Sequence, residues 1–489
     1  MTRRGGPASL ALLILLLALL GVGAGLRFHG LGRESLWNDE LDSRRVSGAP
    51  SAGEVVAKTL AEDGHPPTFN LLLHEIERYW GDSEAALRFP SALAGVLAIA
   101  AMFILGLLLY GTAEGLLGAG LLTVLWCPIH YSQEARPYSL LLFFVLVASS
   151  CWVALLRRWE ETGGTPLGLV AGYVLSALAC CYLHHFGAGL VFLQGAGAFL
   201  LSRRRRAVLV TWMVVLAGYL PGIVYLLRQR RHSGSWAWIE SPGLDSATEY
   251  LKFLFNYSRT LAALALLVGL LAWLRARRSD STPERRIGPL SPSALLGLWL
   301  VLPFLGAVAV SYLSFPLLTN RNLIIGLPVA YLLLARSITV LTCGRSRGTQ
   351  AMLSAAAVAG LLGHLLFVMR YYEVPRKEQF REAVAEVAAR DPDPAGSLVI
   401  GRAYHREYFD YYFKRLGSRR RVDLVAGTDA DIPTAQILLE ARRPGRVWLL
   451  SGHLPVEERF LSFLRDRYDE REHRSWVGTD AWLFTRRGF

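Results

Sequence analysis

The sequence predicts an α-helical multi-pass membrane bundle of about eleven transmembrane helices, followed by a C-terminal soluble α/β domain. Three observations lead there. Apolar runs recur at close to the roughly 20 residues a helix needs to cross a bilayer. Arginines gather in short clusters between those runs. After Arg370 the composition turns charged and alternating.

The chain has 489 residues, 53% of them hydrophobic, and a formal net charge of +13. In a soluble protein that charge would point to nucleic acid. Here the basic clusters follow the pattern of cytoplasmic loops between spans, so a lipid bilayer is the expected partner and nucleic acid is not. Cys127, Cys151, Cys180, Cys181 and Cys343 lie in or beside apolar runs, without zinc-site spacing, and the C-terminal region has no cysteine. Neither disulfides nor a structural zinc is expected to hold the fold.

The first run, "LALLILLLALL" at 10–20, follows Arg3 and Arg4 but precedes no small-residue cleavage site, and reads as a retained span rather than a signal peptide. Spans are expected at 8–27, 87–109, 115–130, 138–156, 166–183, 186–201, 207–227, 260–274, 293–313, 323–341 and 351–369. With the N-terminus in the cytoplasm, the inward loops carry Arg157 and Arg158, Arg203 to Arg206, Arg275, Arg277, Arg278, Arg285, Arg286, Arg345 and Arg347. The opposite loops are poorer in Arg and Lys, apart from "RQRR" at 228–231. Trp236 and Trp238 read as interfacial anchors.

The outward loop 28–85 is acidic, and within it "PPTFNLLLHEIERYWG" predicts a helix. Phe69, Leu72, Leu73, Ile76 and Trp80 form one apolar face, with Asn70, His74, Glu77 and Arg78 opposite. Pro66 and Pro67 suit its first turn and Gly81 its end, and such a helix would lie flat at the membrane surface. In the C-terminal region, "SLVIG", "RVDLVAG", "RVWLLSG" and "AWLFTRR" alternate with "KEQFREAVAEVAAR" and "VEERFLSFLRDRY", which predicts a mostly parallel sheet. Residues 1–369 are therefore read as the membrane domain and 370–489 as an extracytoplasmic α/β domain. No glycine-rich phosphate loop is present, which argues against a nucleotide-driven motor.

On this topology "WNDE" at 37–40, "DGHPP" at 63–67, "HYSQEARPY" at 130–138, "YLHHF" at 182–186 and "TNR" at 319–321 fall on one membrane face. Charges held against a bilayer are costly unless paired or wetted, so a shared outward cavity is expected. A lipid-linked phosphate donor fits such a cavity: a carboxylate takes the proton of an attacking hydroxyl while guanidinium groups hold the departing phosphate.

"SLWNDE", then "GHPPTFNLLLHEIERYWGDSEAALRFPS", then "HYSQEARPYSLLLFF" resemble the bacterial relatives of the protein O-mannosyltransferases and the lipid A aminoarabinose transferase, the C-class integral-membrane glycosyltransferases. The resemblance covers roughly residues 10–340. It implies transfer of a sugar, with inversion, from a polyprenyl-phosphate-linked donor to an extracytoplasmic glycan, lipid or protein acceptor, at the inner membrane of a bacterial cell. It maps the catalytic carboxylate onto Asp39 with Glu40 beside it. Asp39 also suits a helix cap, and Asp42 lies outside the matched motif.

His65 either contacts substrate or caps the following helix. Within "HYSQEARPY", Tyr131, Glu134, Arg136 and Tyr138 are expected at the substrate, Arg136 as phosphate or sugar ligand; the alternative is a structural Glu134–Arg136 pair with Pro137 opening the next span. His184 and His185 match a paired polar spot that relatives carry at a span end. Arg321 stands where relatives carry an arginine followed by an aromatic residue, whereas this chain reads "TNRNL". The motifs require no cofactor, and participation of a divalent metal stays open. Two rival classes are a transporter or lipid flippase, for which no internal repeat or midplane charge is found, and a non-catalytic envelope-assembly subunit.

Overall fold

The computed structural model describes residues 7–161, 164–232, 239–278, 284–391 and 395–487. The expectations placed on Arg3, Arg4, Trp236 and Trp238 lie outside the described residues, as do the side chains of Arg230 and Arg231. The chain divides into two compact units: Met1–His29, Pro50–Glu75 and Arg88–Tyr371 form one, and Gly30–Ala49, Ile76–Leu87 and Tyr372–Phe489 form the other. Two stretches of the acidic loop 28–85 therefore cluster with the C-terminal region.

The first unit is helical. Among the described residues, eight helices are long and apolar enough to cross a membrane: Leu10–Phe28, Glu84–Leu109, Tyr138–Glu161, Arg205–Gln229, Arg259–Arg278, Pro292–Leu313, Asn320–Thr342 and Arg347–Val368. The expected run 115–130 is instead a broken pair, Thr112–Val124 and Trp126–Ser132, bent by 59°. The expected runs 166–183 and 186–201 become Leu167–Leu183 and His185–Leu201, each 17 residues and separated only by His184. The eleven expected runs are thus all helical, but three fall short of a straight full-length span.

Burial sorts these helices. The apolar windows of Glu84–Leu109, Tyr138–Glu161 and Asn320–Thr342 are 61–67% buried, whereas those of Leu10–Phe28, Arg259–Arg278, Pro292–Leu313 and Arg347–Val368 are only 6–11% buried. Leucines facing outward along four whole helices would be untenable in water and are at home in hydrocarbon, so this is a membrane protein. Small residues let the inner helices approach: a Cβ on Gly106 would stand 2.6 Å from Gly115 Cα, and one on Gly115 2.8 Å from the Phe103 carbonyl oxygen.

The expected loop helix forms as Thr68–Trp80. Phe69 and Leu73 are buried as the pattern demands, but Trp80 is exposed, and Asn70 from the polar face is buried instead.

The second unit carries a five-stranded sheet: β1 (Ser397–Arg402), β2 (Leu424–Val425), β3 (Arg446–Gly452), β4 (Tyr468–Trp476) and β5 (Thr479–Arg486), in the order β2-β1-β3-β5-β4. β1 pairs parallel with β2 and β3, while β5 pairs antiparallel with β3 and β4. The sheet is therefore mixed rather than mostly parallel. The tight Trp476–Thr479 connection, with Gly478 at φ 64°, forces a hairpin and hence an antiparallel edge.

Alternation along β1 splits its side chains between two layers. Leu398 and Ile400 join Val447, Leu449, Phe460, Leu464 and Phe484 in one core, with Ala435 and Leu439 from helix Ile432–Arg442. On the other face, Phe409 of helix Glu407–Arg415 packs over Gly401, and Phe380 of helix Phe380–Arg390 packs over Gly452. Helices cover both faces, as a sheet with buried parallel strands requires.

Candidate active site

In the second unit, "SLWNDELDSRR" becomes the helix Asn38–Ser47, with Trp37 at its N-cap. Trp37 offers no capping oxygen, so other carboxylates satisfy the orphan amides. The Trp37 N–H lies 3.4 Å from Glu40 Oε2, and the Asn38 N–H donates to Glu378 Oε2 at 2.8 Å. Glu40 also accepts from Lys377 Nζ at 3.2 Å, the two side chains being 0% and 5% exposed. A buried ion pair of this kind fixes geometry more than it adds stability.

Asp39 differs: it is half-buried, and Asn38 Nδ2 donates to its Oδ1 at 3.3 Å. Asp42 pairs with Arg45 at 2.7 Å. Glu378 turns its other oxygen to His453 Nδ1 at 2.6 Å. The carboxylate can only accept, so Nδ1–H donates. That hydrogen bond, opposed by partial burial and supported by the charges of Glu378 and Asp39, raises the His453 pKa above the ordinary histidine value.

In the first unit, Asp63 and His65 lie in the connection between helices Ala52–Glu62 and Thr68–Trp80. Asp63 Oδ1 meets His65 Nδ1 at 2.8 Å, Asn70 Nδ2 donates to Asp63 Oδ2 at 3.1 Å, and Arg136 Nη2 approaches His65 Nδ1 at 3.1 Å. Burial alone would raise the Asp63 pKa, but the charge and hydrogen bond of His65, then Arg136 and Asn70, outweigh it and hold the carboxyl well below its usual range. His65 is lowered, first by burial and then by Arg136 and Arg321, against the pull of Asp63. One ring nitrogen cannot donate to a carboxylate and accept from a guanidinium at once. The ionised Asp63 takes the Nδ1–H, and Arg136 acts on the pair through its charge.

Gln229 stitches this connection to helix Arg205–His232: its Nε2 donates to the Asp63 and His65 carbonyl oxygens and its Oε1 meets His185 Nε2 at 3.0 Å. His184 accepts the Phe186 N–H on Nδ1 at 3.1 Å, capping its own helix, and its ring lies 4.9 Å from that of His65. Tyr138 packs on Tyr131 at 5.0 Å and on His184 at 5.8 Å. Arg321, in the 3₁₀ turn Asn320–Gly326, is near enough for its charge to act on His65.

The broken helix positions the "HYSQEARPY" segment. Arg27, fully buried, donates to the Leu122 and Thr123 carbonyl oxygens at 2.9 and 3.3 Å, and Asn256 Oδ1 accepts the Trp126 N–H at 2.8 Å. Backbone groups freed by a bend inside an apolar bundle need such partners. Beyond the bend, Glu134 accepts from His130 Nε2 at 3.0 Å, with His130 stacked on Trp126 at 4.4 Å.

Within the first unit, His65 thus meets Asp63, Arg136, Tyr138 and His184, with His185 held through Gln229 and Arg321 acting by its charge, whereas Tyr131 packs on Tyr138 and Glu134 pairs with His130. Asp39 and Glu40 lie on a helix of the other unit. Asp63 was within "DGHPP", and its place two residues before His65 allows contact with Nδ1. Gln229, Lys377, Glu378 and His453 stand far away in sequence and carry no local signal. Among the described residues, no three His, Cys, Asp or Glu side chains converge to hold a metal.

No protein-family model matches the sequence, and no curated protein matches it. Solved structures do. ArnT from Cupriavidus metallidurans in the apo state is similar over 97% of this chain and 98% of its own, with TM-score 0.58 and 12% identity. The same protein bound to undecaprenyl phosphate gives TM-score 0.55 at 12% identity over 96% and 97%. The archaeal oligosaccharyltransferase AglB from Archaeoglobus fulgidus, in complex with an inhibitory peptide and a dolichol-phosphate, gives 0.54 at 11% identity over 96% of this chain and 74% of its own. An α-helical membrane bundle joined to a small α/β unit, matched along nearly its whole length, gives this chain the fold of the C-class integral-membrane glycosyltransferases.

Proposed function

We propose that the chain is an inverting membrane glycosyltransferase that moves a sugar from a polyprenyl-phosphate-linked donor to a hydroxyl of an extracytoplasmic acceptor, at the inner membrane of a bacterial cell. The observation that carries the reading is the contrast between neighbours on one helix: Glu40 is buried and ion-paired, while Asp39 is half-buried on a helix start that Glu40 and Glu378 hold in place. ArnT bound to undecaprenyl phosphate supports a polyprenyl phosphate as the donor's carrier.

The reaction is a single displacement. Asp39 accepts the acceptor's hydroxyl proton as the oxygen forms its bond to the anomeric carbon; the bond from that carbon to the phosphate oxygen breaks, and polyprenyl phosphate departs with the electron pair. The resemblance of "HYSQEARPY" and "TNR" to the family, rather than any placement of one unit against the other, is the ground for proposing Arg136 and Arg321 as the positive charges for that phosphate, Arg136 through its planar fork. The Asp63–His65 pair keeps Arg136 in place. Glu40 acts as the anchor of the catalytic helix rather than as a second base.

Membranes carrying Asp39→Asn, supplied with a labelled lipid-linked sugar and an envelope extract as acceptor, test the assignment. Transfer is expected to fall by about 10²–10⁴-fold, the usual contribution of a general base; transfer near the wild-type rate contradicts the reading.

A further inference from the structure

We propose that the carboxyl ends of β1 and β3 form a subsite for a carbohydrate-type, polyhydroxylated acceptor beside Asp39. The inference rests on the glycosyltransferase reading and specifies its acceptor. The strand order reverses at β1: the chain passes through helix Glu407–Arg415 to β2 on one side, then through helix Ile432–Arg442 to β3 on the other. Open α/β sheets take ligands in the crevice outside the carboxyl ends of strands at such a reversal.

The residues at that point suit a sugar. The chain leaving β1 carries Tyr404, an aromatic residue left 53% exposed, and the chain leaving β3 carries His453, whose ring lies 5.6 Å away at a 40° tilt. His453 holds φ at +65°, a conformation that a non-glycine residue keeps only where its surroundings enforce it. Its N–H donates to the Gly478 carbonyl oxygen at 3.0 Å and its Nδ1–H to Glu378. Through Glu378 the imidazole is one residue removed from the Asn38 amide, and the Asp39 charge reaches it. An aromatic face, an imidazole and two carboxylates complement a ring that presents C–H bonds on one face and hydroxyls around its rim. A peptide acceptor would more readily use an unpaired strand edge. β1 and β3 are each paired on both sides, so neither offers one.

The test uses the full-length chain in detergent, probed with an array of hexose and pentose oligosaccharides and of Ser/Thr peptides, alongside binding of undecaprenyl phosphate. The wild type is expected to bind oligosaccharides. Tyr404→Ala and His453→Gln should each weaken that binding about tenfold or more, with undecaprenyl-phosphate affinity preserved, and Tyr404→Trp should retain it. Because undecaprenyl-phosphate binding reports an intact membrane unit and Tyr404→Trp keeps an aromatic face, misfolding is separable from loss of the subsite. Binding of peptides alone, absence of oligosaccharide binding, or oligosaccharide binding unchanged by both substitutions overturns the proposal. Oligosaccharide binding that depends on Tyr404, in a chain that neither binds polyprenyl phosphate nor transfers sugar, would instead remove the glycosyltransferase reading and leave the subsite standing.

Discussion

The two units meet the cost of charge in opposite ways. In the membrane unit, Asp63 is answered several times over by His65, Asn70 and the nearby Arg136, and its flanking carbonyl groups by Gln229. In the other unit, the same full compensation is given to Glu40, while its neighbour Asp39 stays half-buried. A carboxylate that is buried and saturated with partners builds geometry. One that is only half-buried stays within reach of a hydroxyl proton. On that difference rests the proposal that Asp39 and Glu40 have separate roles.

Breaking the anchored side of the comparison should have the largest effect. Lys377→Met leaves Glu40 ionised and buried without its ammonium partner, which is expected to destabilise the second unit by about 3–5 kcal/mol; the double variant Lys377→Met/Glu40→Gln should recover most of that loss. Thermal unfolding of the purified chain measures both. In the membrane unit, Arg136→Ala should reduce transfer by about 10²-fold, the scale of removing one stabilising group at developing negative charge. A Tm within a few degrees of wild type would show that the loss lies in chemistry rather than in folding.

A smaller effect is expected at Gly187, where a Cβ would stand 2.3 Å from the Cys180 carbonyl oxygen. Gly187→Ala must spread the turn centred on His184, at a cost of about 1–3 kcal/mol, and should weaken polyprenyl-phosphate binding along with stability.

The smallest effect separates the units by pH. The raised His453 value means that the Glu378–His453 pair contributes its full stability below the unfolded histidine pKa and loses it as pH rises through the folded value. Half-exposure makes that contribution modest. The lowered Asp63 value means that its contribution is full above the unfolded aspartate pKa and is lost only as pH falls through a strongly acidic folded value. Raising pH from 6 to 9 should therefore loosen hydrogen-exchange protection around Asn38–Ser47 and leave the amides around Asp63 unaffected by this carboxyl.

Much of this was legible in the sequence because membranes impose length and polarity on helices so strongly. All eleven apolar runs are helical, and the bend in the run 115–130 leaves no mark in the sequence because Leu125 is as apolar as its neighbours. The charged edge strand β4, "YDEREHRSW", gives no apolar alternation, and β2 is only two residues long. At the candidate site, the motif singles out Asp39 and Glu40 as expectations, and the spacing in "DGHPP" accounts for the Asp63–His65 contact. The partners that distinguish Asp39 from Glu40 were not legible: Lys377 is 337 residues from Glu40, and Glu378 is 340 from Asn38. Such contacts arise from tertiary folding, which leaves no periodicity to read.

The central claim, that Asp39 is the base and Glu40 the anchor, is tested most directly by single-turnover transfer from a labelled polyprenyl-phosphate sugar in three purified proteins: wild type, Asp39→Asn, and Lys377→Met/Glu40→Gln, which removes the buried pair together. The predicted result is transfer lost by at least about 10²-fold in Asp39→Asn and retained to within about tenfold in the double variant. Loss of transfer in the double variant at wild-type stability, with Asp39→Asn still active, would contradict the account.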